Sequence, residues 1–213
     1  MGPVSYMDGD NGRGVVQSDE EAVKLFSKAA DQGDSDAQNN LGFMFKKGRG
    51  VVQSDEEAAQ WYRKAADQGD SDAQYNLGFM FEHGRGVAQS DEESVQWYRK
   101  VADQGHVHAQ YNLGFMFEKG RGVAQSDEEA VQWYLKAADQ GYAGAQTNLG
   151  LMFEHGRGVA QSDEEAVHWY RKAADQGHAM AQSILGSMFA NGRGVVQSDE
   201  EADPGSQRAP RNT

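Results

Sequence analysis

A period of 36 residues runs through most of this chain of 213 residues and constrains its fold more than any other feature. The motifs Leu-Gly, Trp-Tyr and Asp-Gln-Gly each recur at this spacing, in register with the tetrad Gly-Arg-Gly-Val. The six tetrads begin at Gly12, Gly48, Gly84, Gly120, Gly156 and Gly192. Self-similarity at a period of roughly 20–50 residues is typical of arrays whose single units are not stable alone.

Each period contains two stretches with helical spacing of apolar residues. In the first stretch the apolar residues lie at i, i+4, i+7 and i+8, on one face of a helix. One copy of this stripe is formed by Ala37, Leu41, Met44 and Phe45. The helix should end near Gly48, because glycine readily adopts the left-handed conformation of a helix C-terminus. Gly42 lowers the helix propensity, so we expect a neighbouring helix to approach closely there.

The second stretch opens with Ser-Asp-Glu-Glu, a capping box of a helix N-terminus. In one copy the hydroxyl of Ser54 should accept a backbone N–H, and the carboxylate of Glu57 should reach back to the amide of Ser54. An apolar stripe with helical spacing follows and consists of Ala58, Trp61, Tyr62, Ala65 and Ala66. Neither helix can bury its stripe alone, so the pairs should stack into an all-α fold, an α/α solenoid.

The motifs A-Q-x-N-L-G-x-M-F, G-R-G-V and W-Y-x-K-A-A-D-Q-G resemble the Sel-one-like repeat (SLR) family, which is related to the tetratricopeptide repeats. The resemblance extends from Gly12 to about Glu201, nearly the whole chain. It implies a right-handed superhelix of helix pairs. It also implies that the chain is a non-enzymatic scaffold or adaptor for protein–protein interaction.

The repeats predict one solenoid over residues 1–202, with partial repeats at both ends. The four complete helix pairs should lie at about 34–69, 70–105, 106–141 and 142–177. Residues 203–213 should form a disordered tail. The helix that carries Leu185, Met188 and Phe189 should lack a covering partner. A structural segment of a longer or self-associating array is therefore an alternative function.

The first helix of each pair carries the candidate binding site. In tetratricopeptide-like arrays one side of this helix lines a concave groove, so the resemblance implies a groove here that binds a peptide or protein segment. The residues expected there are Tyr75, Phe79, Glu82, His83, Tyr111, Phe115, Glu118, Lys119, Leu151, Glu154 and His155. We expect the tyrosines and glutamates to be exposed and to favour apolar and basic side chains. Packing of the phenylalanines against the next repeat is an equal alternative.

Composition excludes several functions. The chain has 33 acidic and 20 basic residues, a net charge of −13, which argues against sequence-independent binding of nucleic acid. Six Asp-Glu-Glu triplets hold 18 of the acidic residues, and we interpret them as helix capping. The chain has no cysteine, so disulfides and thiolate zinc sites are excluded. Without a membrane span or a signal peptide, we expect a cytoplasmic protein.

Catalysis finds no support in the sequence. No G-x-S-x-G or H-E-x-x-H motif is present, and the carboxylates lie at repeated helix ends. We therefore expect no catalytic residue, no cofactor and no metal site. The six histidines should be solvated; His106 and His108, for example, do not face one way on a helix. The alternative of a hydrolase rests on analogy with cysteine-rich relatives alone and supplies no candidate residue.

Overall fold

A computed structural model describes residues 18–194, which form ten α-helices and no strand. These helices are α1 (Asp19–Asp31), α2 (Ser35–Lys47), α3 (Asp55–Asp67), α4 (Ser71–His83), α5 (Asp91–Ala102), α6 (Val107–Lys119), α7 (Asp127–Asp139), α8 (Ala143–His155), α9 (Asp163–Asp175) and α10 (Ala179–Ala190). The chain divides into two compact units, residues 1–106 and 107–213. The predicted all-α fold is confirmed, whereas the predicted tail lies outside the described residues.

Serine begins each odd-numbered helix, but only half of the expected capping box forms. The hydroxyl of Ser54 accepts the N–H of Glu57 at 3.1 Å, as predicted. The amide of Ser54 instead donates to the carbonyl of Phe45, on the helix before it, at 3.1 Å. The prediction that the Glu57 carboxylate would bind this amide is therefore wrong. The same backbone bond between the two helices of a pair recurs at Ser90, Ser126 and Ser162.

Glycine follows four of the even-numbered helices, as the sequence predicts. The glycines after α2, α4, α6 and α8 have φ values of 64°, 61°, 64° and 63°; they are Gly48, Gly84, Gly120 and Gly156. Residues with a β-carbon rarely adopt this left-handed conformation. The first helix of each pair therefore stops at the same point of the repeat.

The apolar stripes of the two helices form the core of each unit. In the first unit Leu77 and Met80 of α4 are fully buried, together with Tyr62 of α3. The tryptophans occupy matching places in successive repeats, since Trp97 and Trp133 are both 7% exposed. A lysine three residues later places its ammonium 4.0 Å from the ring centre of Trp97 and 3.7 Å from that of Trp133. Each lysine thus makes a cation–π contact with a tryptophan at the edge of the core.

A glycine of the first helix lies directly against a tyrosine ring of the second. A β-carbon at Gly78 would stand 2.9 Å from Cδ1 of Tyr98. The corresponding distances at the other three complete pairs are 2.8 Å for Gly42, 2.7 Å for Gly114 and 2.7 Å for Gly150. The expected close approach of a neighbouring helix is confirmed, and these glycines are needed for it.

The Gly-Arg-Gly-Val loop binds the first turn of a helix that begins 30 residues earlier. In the first unit, Nε and Nη2 of Arg85 donate to the two carboxylate oxygens of Asp55, both at 3.0 Å. Gly86 has a φ of 66°, and a β-carbon there would lie 2.0 Å from the carbonyl oxygen of Asp55. The second glycine of the tetrad therefore allows the loop to reach this helix, and the arginine fastens it.

Candidate functional site

The side of the first helix opposite the buried Leu41 carries the predicted binding residues. We call this side of α2, α4, α6 and α8 the variable face. It bears Phe43 and Phe79 in the first unit, and Phe115 and Leu151 in the second. Phe43 is 40% exposed, and the other three are partly buried. The phenylalanines are therefore neither fully exposed in a groove nor fully packed against the next repeat, because each ring keeps an accessible edge.

Cationic and imidazole groups surround the aromatic rings of the variable face. The ammonium of Lys46 lies 4.8 Å from the ring centre of Phe79, and the imidazole of His83 stacks on the same ring at 4.1 Å. In the second unit the ammonium of Lys119 lies 5.7 Å from the ring centre of Phe115. His83, Lys119 and the predicted His155 are exposed. The accessible surface there is thus aromatic with positive charge at its edge.

The glutamates of the predicted site are not exposed, and that expectation is wrong. Glu82 and Glu118 are buried, each 9% exposed. The hydroxyl of Tyr98 donates to Glu82 at 2.8 Å, and that of Tyr134 donates to Glu118 at 2.7 Å. The tyrosine ring is buried against a glycine, so its hydroxyl needs a partner inside the protein. The glutamate serves as that partner.

An arginine from the next repeat completes this network in the second unit. Nη1 of Arg157 donates to Glu118 at 3.1 Å, while Nε and Nη2 bind Asp127 at 3.2 and 2.7 Å. Burial opposes ionisation of Glu118, but hydrogen bonds from Lys119, Tyr134 and Arg157 together hold its pKa below the ordinary value. The carboxylate is therefore ionised and already neutralised within the protein.

The same network recurs one repeat later. Glu154 accepts from the hydroxyl of Tyr170 at 2.8 Å and from Nη1 of Arg193 at 2.8 Å, while Arg193 also binds Asp163. Hydrogen bonds to Asp163 and Glu154 raise the pKa of Arg193. Glu154 is 12% exposed at its side chain. Glu118 and Glu154 thus join neighbouring repeats and do not present free negative charge to a partner.

One copy departs from this arrangement. Lys46 stands where the later repeats have Glu82, Glu118 and Glu154. The hydroxyl of Tyr62, in the same repeat, is buried and has no hydrogen-bond partner within residues 18–194. Sequence reasoning missed this site, although the lysine in a glutamate column is visible in the repeats.

The predicted tyrosines are half-buried in stacks between repeats, so the expectation that they are exposed is also wrong. Tyr75 stacks on the imidazole of His106 at 4.7 Å, and Tyr111 meets the ring of Tyr142 edge-on at 5.0 Å. Burial raises the pKa of Tyr111. His106 is 17% exposed at its side chain, so it is not the solvated histidine that we expected.

These stacks involve the residue that precedes the first helix of the next pair. Where this residue is aspartate, it caps the helix: Asp70 accepts the N–H of Ala73 at 2.6 Å. Tyr142 and His178 occupy the same position and make no side-chain cap. His178 instead lies with Nδ1 3.0 Å from the hydroxyl of Thr147. An aspartate at this position therefore caps its own helix, whereas a tyrosine or histidine there contacts the previous repeat instead.

The last described helix, α10, is covered on one side only within residues 18–194. Met188 is 2% exposed and packs with Ala166 and Tyr170 of α9, but a β-carbon at Gly186 would meet nothing there within 4 Å, as expected for a helix without a covering partner. The residues that would form such a partner lie outside the described residues. Phe189 is 42% exposed, and the guanidinium of Arg171 lies 5.7 Å from its ring centre. Ser187 stands at the phenylalanine position of the variable face. It lines an open cavity of about 220 Å³ beside Leu151.

No helix within the described residues is long and apolar enough to cross a membrane. Over the same span, residues 18–194, no three histidine, aspartate or glutamate side chains are grouped so that they could hold a metal ion.

Paired helices, a glycine–tyrosine contact and an arginine–aspartate link, all repeated every 36 residues, define an α-helical repeat protein. The model of the Sel1 repeat family matches six successive segments: 1–34, 35–70, 71–106, 107–142, 143–178 and 179–202. The chain therefore belongs to the Sel1 repeat family. Proteins of this family are generally scaffolds for protein–protein interaction.

Two solved structures resemble the chain over most of its length. A protective antigen of uropathogenic Escherichia coli with an SLR fold is 36% identical, with a TM-score of 0.80, over 81% of this chain. The chain spans 37% of that protein's length. A Sel1 repeat protein from Oxalobacter formigenes is 37% identical, with a TM-score of 0.78, over 83% of this chain and 73% of its own.

A more distant likeness is to an immunity protein from Pseudomonas aeruginosa. It is 25% identical to the chain, with a TM-score of 0.51, over 78% of this chain and 62% of its own. Comparison with curated proteins finds no significant sequence match.

Proposed function

We propose that this chain is a non-enzymatic scaffold that binds a peptide or protein segment on its variable face. The observation that carries the proposal is the contrast between the two sides of the first helix. The buried side repeats the same leucine, glycine and methionine in every complete pair. The opposite side changes from copy to copy and keeps partly exposed aromatic rings. A surface that varies on a constant frame is suited to selecting a partner.

The chemistry of the variable face favours a partner with apolar side chains. Phe43 and Phe79 offer ring edges in the first unit, and aromatic residues are common anchors of protein interfaces. The sequence predicted a partner with basic side chains because it predicted exposed glutamates. These glutamates are instead bound to tyrosine and arginine within the chain. Lys46 and His83 border the ring of Phe79. We therefore propose apolar side chains flanked by acidic ones in the partner segment.

The experiment starts from a peptide ligand selected against the purified chain from a random displayed library. The variant with both Phe43→Ser and Phe79→Ser should bind this ligand about 30-fold more weakly or worse, as expected for two anchor residues. Circular dichroism should show that the variant is folded.

Leu135→Ser provides the matched control. Leu135 is 40% exposed, like Phe43, but it lies on α7, which carries no part of the variable face. Its substitution should leave the affinity unchanged. If the folded double variant binds as tightly as the original chain, or if the control weakens binding equally, the variable face is not the binding surface.

A further inference from the structure

We propose that Lys46, Tyr62 and Arg85 form a binding site for the carboxylate of an acidic side chain in the partner segment. This inference rests on the proposed function, because Lys46 borders the variable face. It goes further, since it assigns one group of the partner to one place on the chain.

In the second unit the corresponding site already contains a carboxylate, which belongs to Glu118. There the carboxylate of Glu118 receives the hydroxyl of Tyr134 at 2.7 Å and Nη1 of Arg157 at 3.1 Å. Residues 46, 62 and 85 stand 72 residues, or two periods, before these three. The first unit therefore has the tyrosine and the arginine of the network but a lysine in place of its carboxylate.

Both donors are fixed in the first unit by the same contacts as in the second. The ring of Tyr62 lies against Gly42, where a β-carbon would be 2.8 Å away, as against 2.7 Å for Tyr134 and Gly114. The side chain of Arg85 is fixed by two hydrogen bonds to Asp55 at 3.0 Å. The corresponding bonds of Arg157 measure 3.2 and 2.7 Å. The donors are thus held in place without their acceptor.

The two donors have hydrogen-bonding capacity that this part of the protein leaves unused. The hydroxyl of Tyr62 is buried and unpartnered within residues 18–194, and Tyr62 is 0% exposed. In the same described residues, Nη1 of Arg85 makes no hydrogen bond, since Nε and Nη2 alone bind Asp55. Buried hydroxyl groups in proteins nearly always have a partner. A carboxylate with two oxygens would satisfy both donors, as Glu118 does.

Charge selects an anion for this position. The group of Glu118, Arg157, Asp127 and Lys119 carries no net charge, whereas the corresponding group of Lys46, Arg85, Asp55 and Lys47 carries two net positive charges. Arg85 also lowers the pKa of Lys46, after the larger effect of burial. The site is open to solvent on the arginine side, where the Arg85 side chain is 37% exposed. Lys46 also lies over the ring of Phe79, so the site adjoins the variable face.

The binding test uses blocked peptides as probes and the ring signals of Tyr62 in nuclear magnetic resonance. The first peptide has one internal glutamate, the second has glutamine there, and the third has glutamine and a free terminal carboxylate. All titrations are made at constant ionic strength, and Tyr62→Phe assigns the signal. The glutamate peptide should shift the Tyr62 signals saturably. Equal shifts with the glutamine peptide would overturn the proposal.

Lys46→Glu supplies the carboxylate from within the chain and should compete with the probe. We expect at least a tenfold weaker binding of the glutamate peptide in this variant. Equal affinity would overturn the site. Binding of the peptide with the terminal carboxylate, but not of the one with internal glutamate, would overturn the assignment to a side chain. Shifts with simple phosphate as large as those with the glutamate peptide would reduce the site to an unselective anion site and overturn the carboxylate assignment.

A stability measurement tests the geometry without any ligand. Lys46→Glu should have a higher melting temperature than the matched control Lys46→Met, because the new glutamate gains both donors. An equal or lower melting temperature would show that the donors do not converge and would overturn the proposal. Neither the peptide titration nor the stability measurement involves Phe43 or depends on the selected library ligand. The carboxylate site can therefore fail while the variable face still binds its ligand.

Discussion

The ring of Tyr134 lies so close to Gly114 that a β-carbon on the glycine would stand 2.7 Å from Cδ1 of the ring. Gly114 is in the middle of α6, where glycine is otherwise unfavourable by about 1 kcal/mol relative to alanine. The contact allows the second helix of the pair to approach the first and to bury the whole tyrosine. The glycine is thus required by packing and not by a turn.

Gly114→Ala should lower the free energy of unfolding by about 1–3 kcal/mol, because the added methyl group overpacks the core. The loss outweighs the gain in helix propensity, since the tyrosine ring has no room to move. The measurement is denaturant unfolding followed by circular dichroism. Gly186→Ala is the control: Gly186 is also helical, and a β-carbon there would meet nothing within 4 Å among residues 18–194. It should be neutral or stabilising, and equal effects at both sites would contradict the packing argument.

Tyr134→Phe should destabilise the chain by about 1.5–3 kcal/mol, as expected for loss of a hydrogen bond to a charged group. Tyr62→Phe removes the same hydroxyl from a copy in which it has no partner among the described residues, so its effect should be near zero or stabilising. Both rings are 0% exposed and touch a glycine, so the pair isolates the hydrogen bond. Thermal unfolding of the two variants measures the difference, which should vanish only if Glu118 is not the acceptor.

The stability of the second unit should depend on pH through Glu118. Its pKa in the folded protein lies below the ordinary value of 4.5, so the unfolded chain binds the proton more readily. The stabilisation is therefore present above pH 4.5 and is lost as the pH falls through the lower folded-state pKa. Glu118→Gln removes this dependence. The stability difference between the original chain and this variant should be largest at neutral pH and shrink in acid; a constant difference would contradict the assignment.

Ser126→Ala should lower the free energy of unfolding by about 1 kcal/mol, because the serine hydroxyl caps α7 by accepting the N–H of Glu129 at 3.1 Å. Ser126→Asn keeps an acceptor at the same position and should have little effect. Urea unfolding curves compare the two variants. A similar loss for both would mean that the size of the side chain, and not the hydrogen bond, matters at this position.

The sequence predicted the helices, the serine caps and the glycine stops because these depend on short-range rules, and it predicted the close helix approach because a glycine stands in the middle of an otherwise helical pattern. The i, i+4 spacing identified Leu41 and Tyr62 as buried, and Gly48 ends its helix as expected. The position of Glu118 was predicted wrongly because it lies at the border of its helix face. Whether such a residue is buried depends on the position of the hydroxyl of Tyr134, and helical periodicity does not predict that position.

The stacks between repeats were missed for a similar reason. Tyr75 meets His106, and Thr147 meets His178, across 31 residues of sequence. Nothing in a helical wheel relates these positions, because the wheel describes one helix at a time. The signal that was available is the exchange of Asp70 for an aromatic or imidazole side chain at the same place in later copies.

The link between Arg85 and Asp55 has a consequence for how such chains can change in length. The guanidinium must reach a helix that begins 30 residues before it, and the carbonyl of Asp55 leaves no space beside Gly86. One residue inserted in this loop would separate the pair. A duplication or deletion of a whole module leaves every such distance as it was. Genes of this kind can therefore grow or shrink in steps of 36 codons, while their loops stay fixed.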